Sequence, residues 1–145
     1  MKLYYAAPWF TPEQADIHSR VYKTLKTSGH NVFSPKHELE VGPDANLAVR
    51  RKAFQGNIAA ILRSDIVIGV TDYKDIGTIW ECGFAYACGV AIIYYAETLG
   101  DRPFNLMLAQ SGLRVVRNCA DLLDLLVKIR STSDLQEVEY EGKVE

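Results

Sequence analysis

The sequence lacks most of the features that mark secreted, membrane-spanning or metal-binding proteins. It has only three cysteines, Cys82, Cys88 and Cys119, and no C-x-x-C pair, which favours reduced thiols in a cytosolic protein. No cysteine or histidine stands at the spacing of zinc ligands, so no metal is expected. No apolar run is long enough to span a membrane, and the short run before Pro8 is too brief for a signal peptide. These absences predict a cytoplasmic protein without a membrane partner.

The sequence also has little net charge and lacks the glycine-rich motifs that bind nucleotides. The formal net charge is −2, which gives no electrostatic reason to expect a nucleic acid or an acidic membrane as a partner. The basic run Arg50-Arg51-Lys52 is short and is typical of a solvated helix face. The glycine-rich motifs of dinucleotide and ATP enzymes are absent, as is the G-x-S-x-G motif of serine hydrolases. The sequence therefore predicts no nucleotide cofactor.

Apolar runs typical of buried strands alternate with segments of helical periodicity. The strand candidates are residues 3–7, 31–34, 65–70, 90–95 and 114–116. Helices are predicted after a capping box at Thr11 and Gln14, along an apolar stripe of Phe54, Ile58, Ile61 and Leu62, over 78–88, near Asn105 and over 122–129. No hairpin turn joins two strands. We therefore expect one α/β domain over residues 1–145, with a polar tail at 131–145.

The predicted architecture is a doubly wound, mostly parallel five-stranded sheet with helices on both faces, as in flavodoxin-like and Rossmann-like folds. Ligands bind such sheets beyond the carboxyl ends of the strands. The segment 72–89 follows one of these ends, and Gly77 allows a sharp turn into a helix. Glu81 is then expected in about the first helical turn, where the helix dipole favours an ionised carboxylate.

A carboxylate at this edge could act as a nucleophile toward an anomeric carbon. Acidic residues are also common in first helical turns. The spacing of Glu81 alone therefore leaves open that it only stabilises the start of a helix.

Four short segments, taken in order, point to one family. They are Leu3 to Thr11 with its aromatic pair, Asp75 to Tyr86 around Glu81, the turn Phe104-Asn105-Leu106-Met107, and the tail Tyr140-Glu141-Gly142. Together they resemble the nucleoside 2-deoxyribosyltransferase family over nearly the whole chain. The second segment is similar to the family's Asp-x-Gly to Gly-x-Ala stretch, which holds its catalytic glutamate. Three of the segments lie at the predicted active edge and the fourth at the terminus.

The resemblance implies an exchange of bases on 2′-deoxynucleosides, with free purine or pyrimidine bases as the second substrates. Glu81 would attack C1′ and release the first base, and a second base would then attack the deoxyribosyl-enzyme from the same face with retention. No metal or organic cofactor is implied. The family also implies a homo-oligomer, either a hexamer or another dimer-based assembly.

The resemblance assigns roles to residues around the nucleophile. Tyr4 would place its hydroxyl beside Glu81 as a second catalytic residue, although strand alternation alone would assign it to the core. Trp9 and Phe10 would form a flat wall for the base, or would staple the chain onto the first helix. Asp75 would bind a sugar hydroxyl, with the 5′-OH as the first choice, or would serve only as a turn residue.

Three further residues are expected to bind substrate. Asn105 and Met107 would contact the sugar from a neighbouring subunit. Asn57 stands where some family members have an aspartate proposed to handle the proton of the departing base. An amide cannot act as a general acid, but it can both donate and accept hydrogen bonds. The loop around His37 is expected to read the edge of the base.

Two other functions remain open. One is a nucleoside 5′-monophosphate N-glycosidase of related fold, in which water accepts the sugar. That activity needs phosphate-binding turns, but this chain has Pro8-Trp9-Phe10 at the first position and Asn105-Leu106-Met107 at the second, and neither offers a basic group. The other is a non-catalytic nucleotide-sensing module that uses the same pocket without Glu81 chemistry.

Overall fold

The computed structural model describes residues 1–39, 41–131 and 140–145. Within these ranges the strands are β1 (Lys2–Ala6), β2 (Asn31–Phe33), β3 (Ile66–Val70), β4 (Ala91–Tyr95) and β5 (Arg114–Val116). The helices are α1 (Pro12–Thr27), α2 (Pro35–Glu38), α3 (Leu47–Leu62), α4 (Ile76–Ala87), α5 (Leu106–Ser111) and α6 (Cys119–Ser131). A short 3₁₀ turn (Asp72–Lys74) lies between β3 and α4. Of the predicted polar tail, residues 132–139 lie outside the described ranges.

The strands form one parallel sheet in the order β2-β1-β3-β4-β5. This is the flavodoxin-like order, in which the chain reverses direction across the sheet between β1 and β3. The prediction of a doubly wound α/β fold is therefore confirmed. No helix in the described part of the chain is long and apolar enough to cross a membrane.

Side-chain alternation along the strands divides the core into two layers. Tyr5 of β1 packs with α1 and α6 on one face of the sheet. Its neighbour Tyr4 points to the opposite face, where Ile61 of α3 and Cys82 of α4 belong to the same buried cluster. This follows from the two-residue period of a strand, and it sends the Tyr4 hydroxyl toward the helix that carries Glu81.

The predicted apolar stripe of α3 is only partly buried. Ile61 is fully buried, but Phe54 is 55% exposed and Leu62 is 53% exposed. Phe54 contacts Trp80 of α4, at 5.7 Å between ring centroids, instead of the sheet. The predicted helix is therefore present, but its apolar stripe meets the core only in part, because α3 meets the sheet mainly through Ala60 and Ile61.

Some predicted boundaries also move by a few residues. The loop expected around His37 contains instead the four-residue helix α2. The third helix starts well before its apolar stripe, because Asn46 caps it by accepting a hydrogen bond from the Val49 amide. The capping box of α1 forms as predicted, with Thr11 and Gln14 each bonding the other's backbone.

Gly69 allows α4 to lie close to β3. A Cβ atom at this position would overlap the Sγ atom of the buried Cys82. Since Cys82 adjoins Glu81 in the sequence, the absence of a side chain at Gly69 sets how closely the nucleophile candidate approaches the sheet.

We expect Gly69→Ala to destabilise the fold by about 1–3 kcal/mol, because the added methyl overpacks the contact with Cys82. The same change should cost clearly less in a Cys82→Ala background, where the clash is absent. Urea unfolding of the two single variants and the double variant measures this coupling. Gly42→Ala is a matched control, since no atom lies within 4 Å of its Cβ position. Equal losses in the two backgrounds would contradict the packing explanation.

Candidate active site

A hydrogen bond between Tyr4 and Glu81 lies at the centre of the candidate site. The Tyr4 hydroxyl donates to Oε1 of Glu81 at 2.6 Å. Tyr4 is fully buried and its ring stacks on Phe33 of β2, with 5.5 Å between centroids and 16° between planes. The phenol is therefore held in one orientation, and it serves the core and the carboxylate at the same time.

Glu81 lies one turn further along its helix than the sequence predicted. Because Asp75 is the N-cap and α4 begins at Ile76, Glu81 falls in the second turn. The influence of the helix dipole fades within the first turn, so the predicted dipole stabilisation is not what governs this carboxylate. Burial governs it, because removal from water disfavours the charged form.

Burial raises the pKa of Glu81 from 4.5 to about 7. The hydrogen bond from Tyr4 lowers the pKa, and the negative charge of Asp75 raises it. A carboxyl group that titrates near neutrality is a common property of functional sites. At pH values above about 7 it is ionised and partly desolvated, which is the state that a nucleophile needs.

Asp75 combines a capping role with an electrostatic one. Its Oδ2 atom accepts hydrogen bonds from the Thr78 amide at 2.7 Å and from the Thr78 hydroxyl at 2.9 Å. The turn chemistry that the sequence left open is thus present. The carboxylate also acts on Glu81 through its charge, so the acidic N-cap of α4 interacts electrostatically with the acidic residue of its second turn.

Trp9 and Phe10 form an aromatic pair directly before α1. Their ring centroids are 4.9 Å apart. The Phe10 ring is 70% exposed, so it is not stapled tightly against the helix. Trp9 is partly buried and meets His18 edge-on at 5.8 Å. The pair therefore presents aromatic surface beside the carboxyl end of β1.

A histidine cluster supports this aromatic pair, and only one of its members, His37, was predicted from the sequence to lie near the site. His18 is buried, and its Nε2 atom lies 3.3 Å from the Ser34 hydroxyl, which is also 3.2 Å from Nδ1 of His37. The His37 ring stacks on Tyr22 at 3.9 Å. Burial first, and then the nearby cations, lower the pKa of His18 to about 4, so it is neutral at pH 7. The sequence feature that could have indicated the burial of His18 is its position directly after Ile17, on the buried face of α1.

The remaining predicted residues, Asn57, Asn105 and Met107, are not hydrogen-bonded to Glu81 within the described ranges of the chain. Within the same ranges the Oδ1 atom of Asn57 is buried and has no hydrogen-bond partner. Asn105 caps α5, where its Oδ1 accepts from the amides of Met107 and Leu108 at 3.1 and 3.3 Å. The Met107 side chain is 74% exposed.

Residues 140–145 pair with the segment that precedes α5. The Phe104 amide donates to the Lys143 carbonyl at 2.8 Å, and the Glu145 amide donates to the Phe104 carbonyl at 3.0 Å. Tyr140 packs against the Phe104 ring at 5.7 Å between centroids. The end of the chain therefore contacts the segment that carries Asn105.

No group of three or more His, Cys, Asp or Glu side chains is placed to hold a metal ion in residues 1–39, 41–131 and 140–145. The chemistry available at this edge of the sheet is that of a half-buried carboxylate, an orienting phenol and planar aromatic side chains.

Comparison with known proteins decides the family. The family model for nucleoside 2-deoxyribosyltransferase matches residues 3–118, which include Tyr4, Asp75 and Glu81. The chain belongs to the nucleoside 2-deoxyribosyltransferase family. Its members are enzymes that transfer or hydrolyse the glycosyl groups of nucleosides, so nucleosides and nucleobases are the substrate class. No curated protein sequence matches this chain.

Solved structures agree with this membership. A 2-deoxyribosyltransferase from the psychrotolerant bacterium Bacillus psychrosaccharolyticus is 28% identical, with a TM-score of 0.76 over 86% of this chain and 91% of that one. A conserved protein from Enterococcus faecalis V583 is 18% identical, with a TM-score of 0.72 over 89% and 98% of the two chains. A CMP N-glycosidase from Clostridium botulinum is 17% identical, with a TM-score of 0.59 over 89% and 99%. The last two show the shared fold.

We expect Glu81→Gln to stabilise this family member at about pH 8. The pKa of Glu81 in the folded protein, about 7, lies above its ordinary value of 4.5. The free energy of unfolding of the wild type therefore falls as the pH rises from 4.5 to about 7, and it stays at the lower value above this pH. Gln carries no charge, so the variant should gain roughly 1–3 kcal/mol at pH 8 and nothing near pH 4.

Urea unfolding at the two pH values measures the difference. Glu141→Gln is the matched control, because Glu141 is exposed and should show no pH-dependent gain. A Glu81→Gln variant that is less stable than wild type at pH 8 would contradict the assignment of Glu81 as a destabilising, partly desolvated carboxylate.

Proposed function

We propose that this protein is a nucleoside 2-deoxyribosyltransferase that exchanges the base of a 2′-deoxynucleoside through a covalent deoxyribosyl–Glu81 intermediate. The observation that carries the proposal is the 2.6 Å hydrogen bond from Tyr4 to the half-buried Glu81 carboxylate. A carboxylate with one oxygen held by a fixed donor keeps its other oxygen for attack, as covalent glycosyl transfer requires.

In the first step, the free oxygen of ionised Glu81 attacks C1′ of the nucleoside. The C1′–O bond forms while the C1′–N bond breaks, and the base leaves with the electron pair. Burial and the neighbouring Glu81 carboxylate raise the pKa of Tyr4 well above its ordinary value of 10. Tyr4 therefore keeps its proton and orients the carboxylate without acting as a base.

In the second step, a nitrogen of an incoming base attacks C1′ from the face that the first base left. The C1′–O bond to Glu81 breaks, the carboxylate is regenerated, and the N–H proton that the incoming base loses passes to solvent. Each displacement inverts the configuration at C1′, so the two together retain it. Because the first base leaves before the second one reacts, the kinetics should be ping-pong.

Asn57 is proposed to bind the departing base without protonating it. Its buried Oδ1 has no hydrogen-bond partner within the described residues, and a buried unsatisfied acceptor is unfavourable. An N–H group of the base would satisfy it. Since an amide has no proton to give as an acid, the departing base takes its proton from solvent in this proposal.

The surrounding residues favour a nucleoside without a 5′-phosphate. Trp9 and Phe10 supply flat area for the base. Asp75 is proposed to accept a hydrogen bond from the 5′-OH, and its negative charge would repel a phosphate at the same position. The rival monophosphate N-glycosidase needs the opposite charge there.

A base-exchange assay tests the proposal. Incubation of deoxyinosine or thymidine with adenine should yield deoxyadenosine. The rate of deoxyadenosine formation is measured by chromatography. Glu81→Ala should lower this rate by at least about a thousandfold, because the covalent pathway is lost. Glu141→Ala is the exposed control and should keep the wild-type rate. A 2-fluoro-arabinonucleoside should label Glu81 in a mass spectrum.

Several results would contradict the proposal. Consumption of dIMP but not of deoxyinosine would favour the monophosphate N-glycosidase. Ligand binding without any turnover would favour the sensing module. A label found on Asp75 in place of Glu81 would reassign the nucleophile.

We also propose that the enzyme is a homo-oligomer in which Asn105 and Met107 reach the site of a neighbouring subunit. Large apolar side chains are exposed on α4 and at the start of α5, among them Ile76, Trp80 and Met107. Exposed apolar groups of this size commonly mark interfaces, and symmetric homo-oligomers are frequent.

Mixing two inactive variants tests the shared site. Glu81→Ala lacks the nucleophile, and Asn105→Ser lacks the amide but keeps an oxygen that can cap α5. If the site is shared, co-refolded mixtures should recover a fraction of wild-type exchange, because some interfaces pair an intact Glu81 with an intact Asn105. Mixed oligomers that form but stay inactive would show that each site is built from one chain.

A further inference from the structure

We propose that Asp72 is a positioning residue for the nucleophile, because its carboxylate fixes the turn that leads into Asp75 and Glu81. This inference rests on the proposed function of Glu81. Asp72 belongs to the 3₁₀ turn between β3 and α4, and it is buried. The role is distinct from those of Asp75 and Glu81, since Asp72 would act through the backbone and without contact with substrate.

Both oxygens of the Asp72 carboxylate bond to the backbone of another loop. Oδ1 accepts from the Thr98 amide at 2.7 Å, and Oδ2 accepts from the Glu97 amide at 3.0 Å. A buried carboxylate is tolerated when its oxygens are satisfied in this way, and hydrogen bonds to an ionised acceptor are strong ones. Asp72 thus joins the loop after β3 to the loop after β4.

The loop that receives Asp72 is itself held in place. The Glu97 side chain accepts two hydrogen bonds from Arg20 of α1, at 3.0 and 3.1 Å, and one from the Tyr95 hydroxyl at 2.7 Å. Glu97 is therefore bonded to α1 and to β4. Because these bonds hold the loop after β4 in place, the loop restrains the β3–α4 turn through Asp72.

The turn has a backbone conformation that needs such support. Tyr73 and Lys74 have φ angles of 64° and 49°, a left-handed region that side-chain-bearing residues rarely adopt. Tyr73 is half exposed and the Lys74 side chain is 89% exposed, so burial of these side chains does not explain the strain. Strained turns of this kind are kept where the surrounding structure holds them, often at functional sites.

The strained turn ends at the residue that caps α4. Asp75 follows Lys74 directly, and its carboxylate fixes the first turn of the helix through Thr78. Glu81 lies in the next turn of the same helix. Release of the Asp72 contacts would therefore shift Asp75 and the helix start, and with them the angle at which Glu81 meets C1′.

The test is Asp72→Asn, which keeps the volume but turns an NH₂ group toward one of the two amide donors. We expect kcat for base exchange to fall by roughly tenfold to a hundredfold, as for small displacements of reacting groups. The KM for the deoxynucleoside should change by less than about threefold. Asp101→Asn, on the exposed part of the β4–α5 connection, is the matched control and should keep the wild-type kcat.

Two readouts separate positioning from a merely structural role. Asp75 raises the pKa of Glu81, so a displaced Asp75 should move the acid limb of the kcat/KM profile to lower pH in Asp72→Asn. Addition of Lys74→Gly to the Asp72→Asn variant should raise kcat about fivefold or more above that of Asp72→Asn alone, since glycine adopts the left-handed conformation without strain.

The inference is overturned if folded Asp72→Asn keeps kcat within about twofold of wild type, or if neither the acid limb shifts nor Lys74→Gly restores activity. It is also overturned if Asp72→Asn fails to fold and Lys74→Gly does not restore folding and activity together. Absence of exchange in the wild-type enzyme would instead refute the proposed function, so the two failures are distinguishable.

Discussion

The hydrogen bond between Tyr4 and Glu81 connects the first strand to a helix 77 residues later in the chain. The bond exists only because several non-local conditions hold together. The parallel pairing of β1 with β3 places the carboxyl ends of both strands at one edge, and Gly69 leaves room for α4 to pack against β3 through Cys82. Any change in the register of β1 by one residue would turn Tyr4 to the other face of the sheet.

At the Tyr4–Glu81 contact, folding stability and the proposed reaction make opposite demands on the Glu81 carboxylate. Burial makes the ionised form of Glu81 unfavourable, whereas the proposed covalent attack requires that form. The fold tolerates the carboxylate because Tyr4 donates to it, and Tyr4 in turn is fixed by core packing against Phe33. A buried group that is unfavourable for folding and useful for a reaction is characteristic of active sites.

The rest of the carboxyl edge consists of loops that are tied to one another. Asp72 joins the loop after β3 to the loop after β4, and residues 140–145 pair with the segment around Phe104. On the other side, Ser34 joins His18 of α1 to His37 of α2 beneath Trp9. Each tie restrains a segment that carries a proposed substrate contact, which is how an edge made of loops can hold a defined geometry.

Apart from the short helix α2, the sequence by itself determined the order of strands and helices, the parallel sheet, the capping box at Thr11 and the family resemblance, because periodicity, caps and short motifs are local properties. Only the tertiary structure decided that Tyr4 meets Glu81 at hydrogen-bond distance, that burial outweighs the helix dipole there, and that Phe54 stays exposed. The role of Asp72 in joining two loops and the role of His18 in joining α1 to α2 also emerge only in the tertiary structure. These features depend on which distant segments pack together, and that packing fixes burial and distance, whereas a local pattern fixes neither.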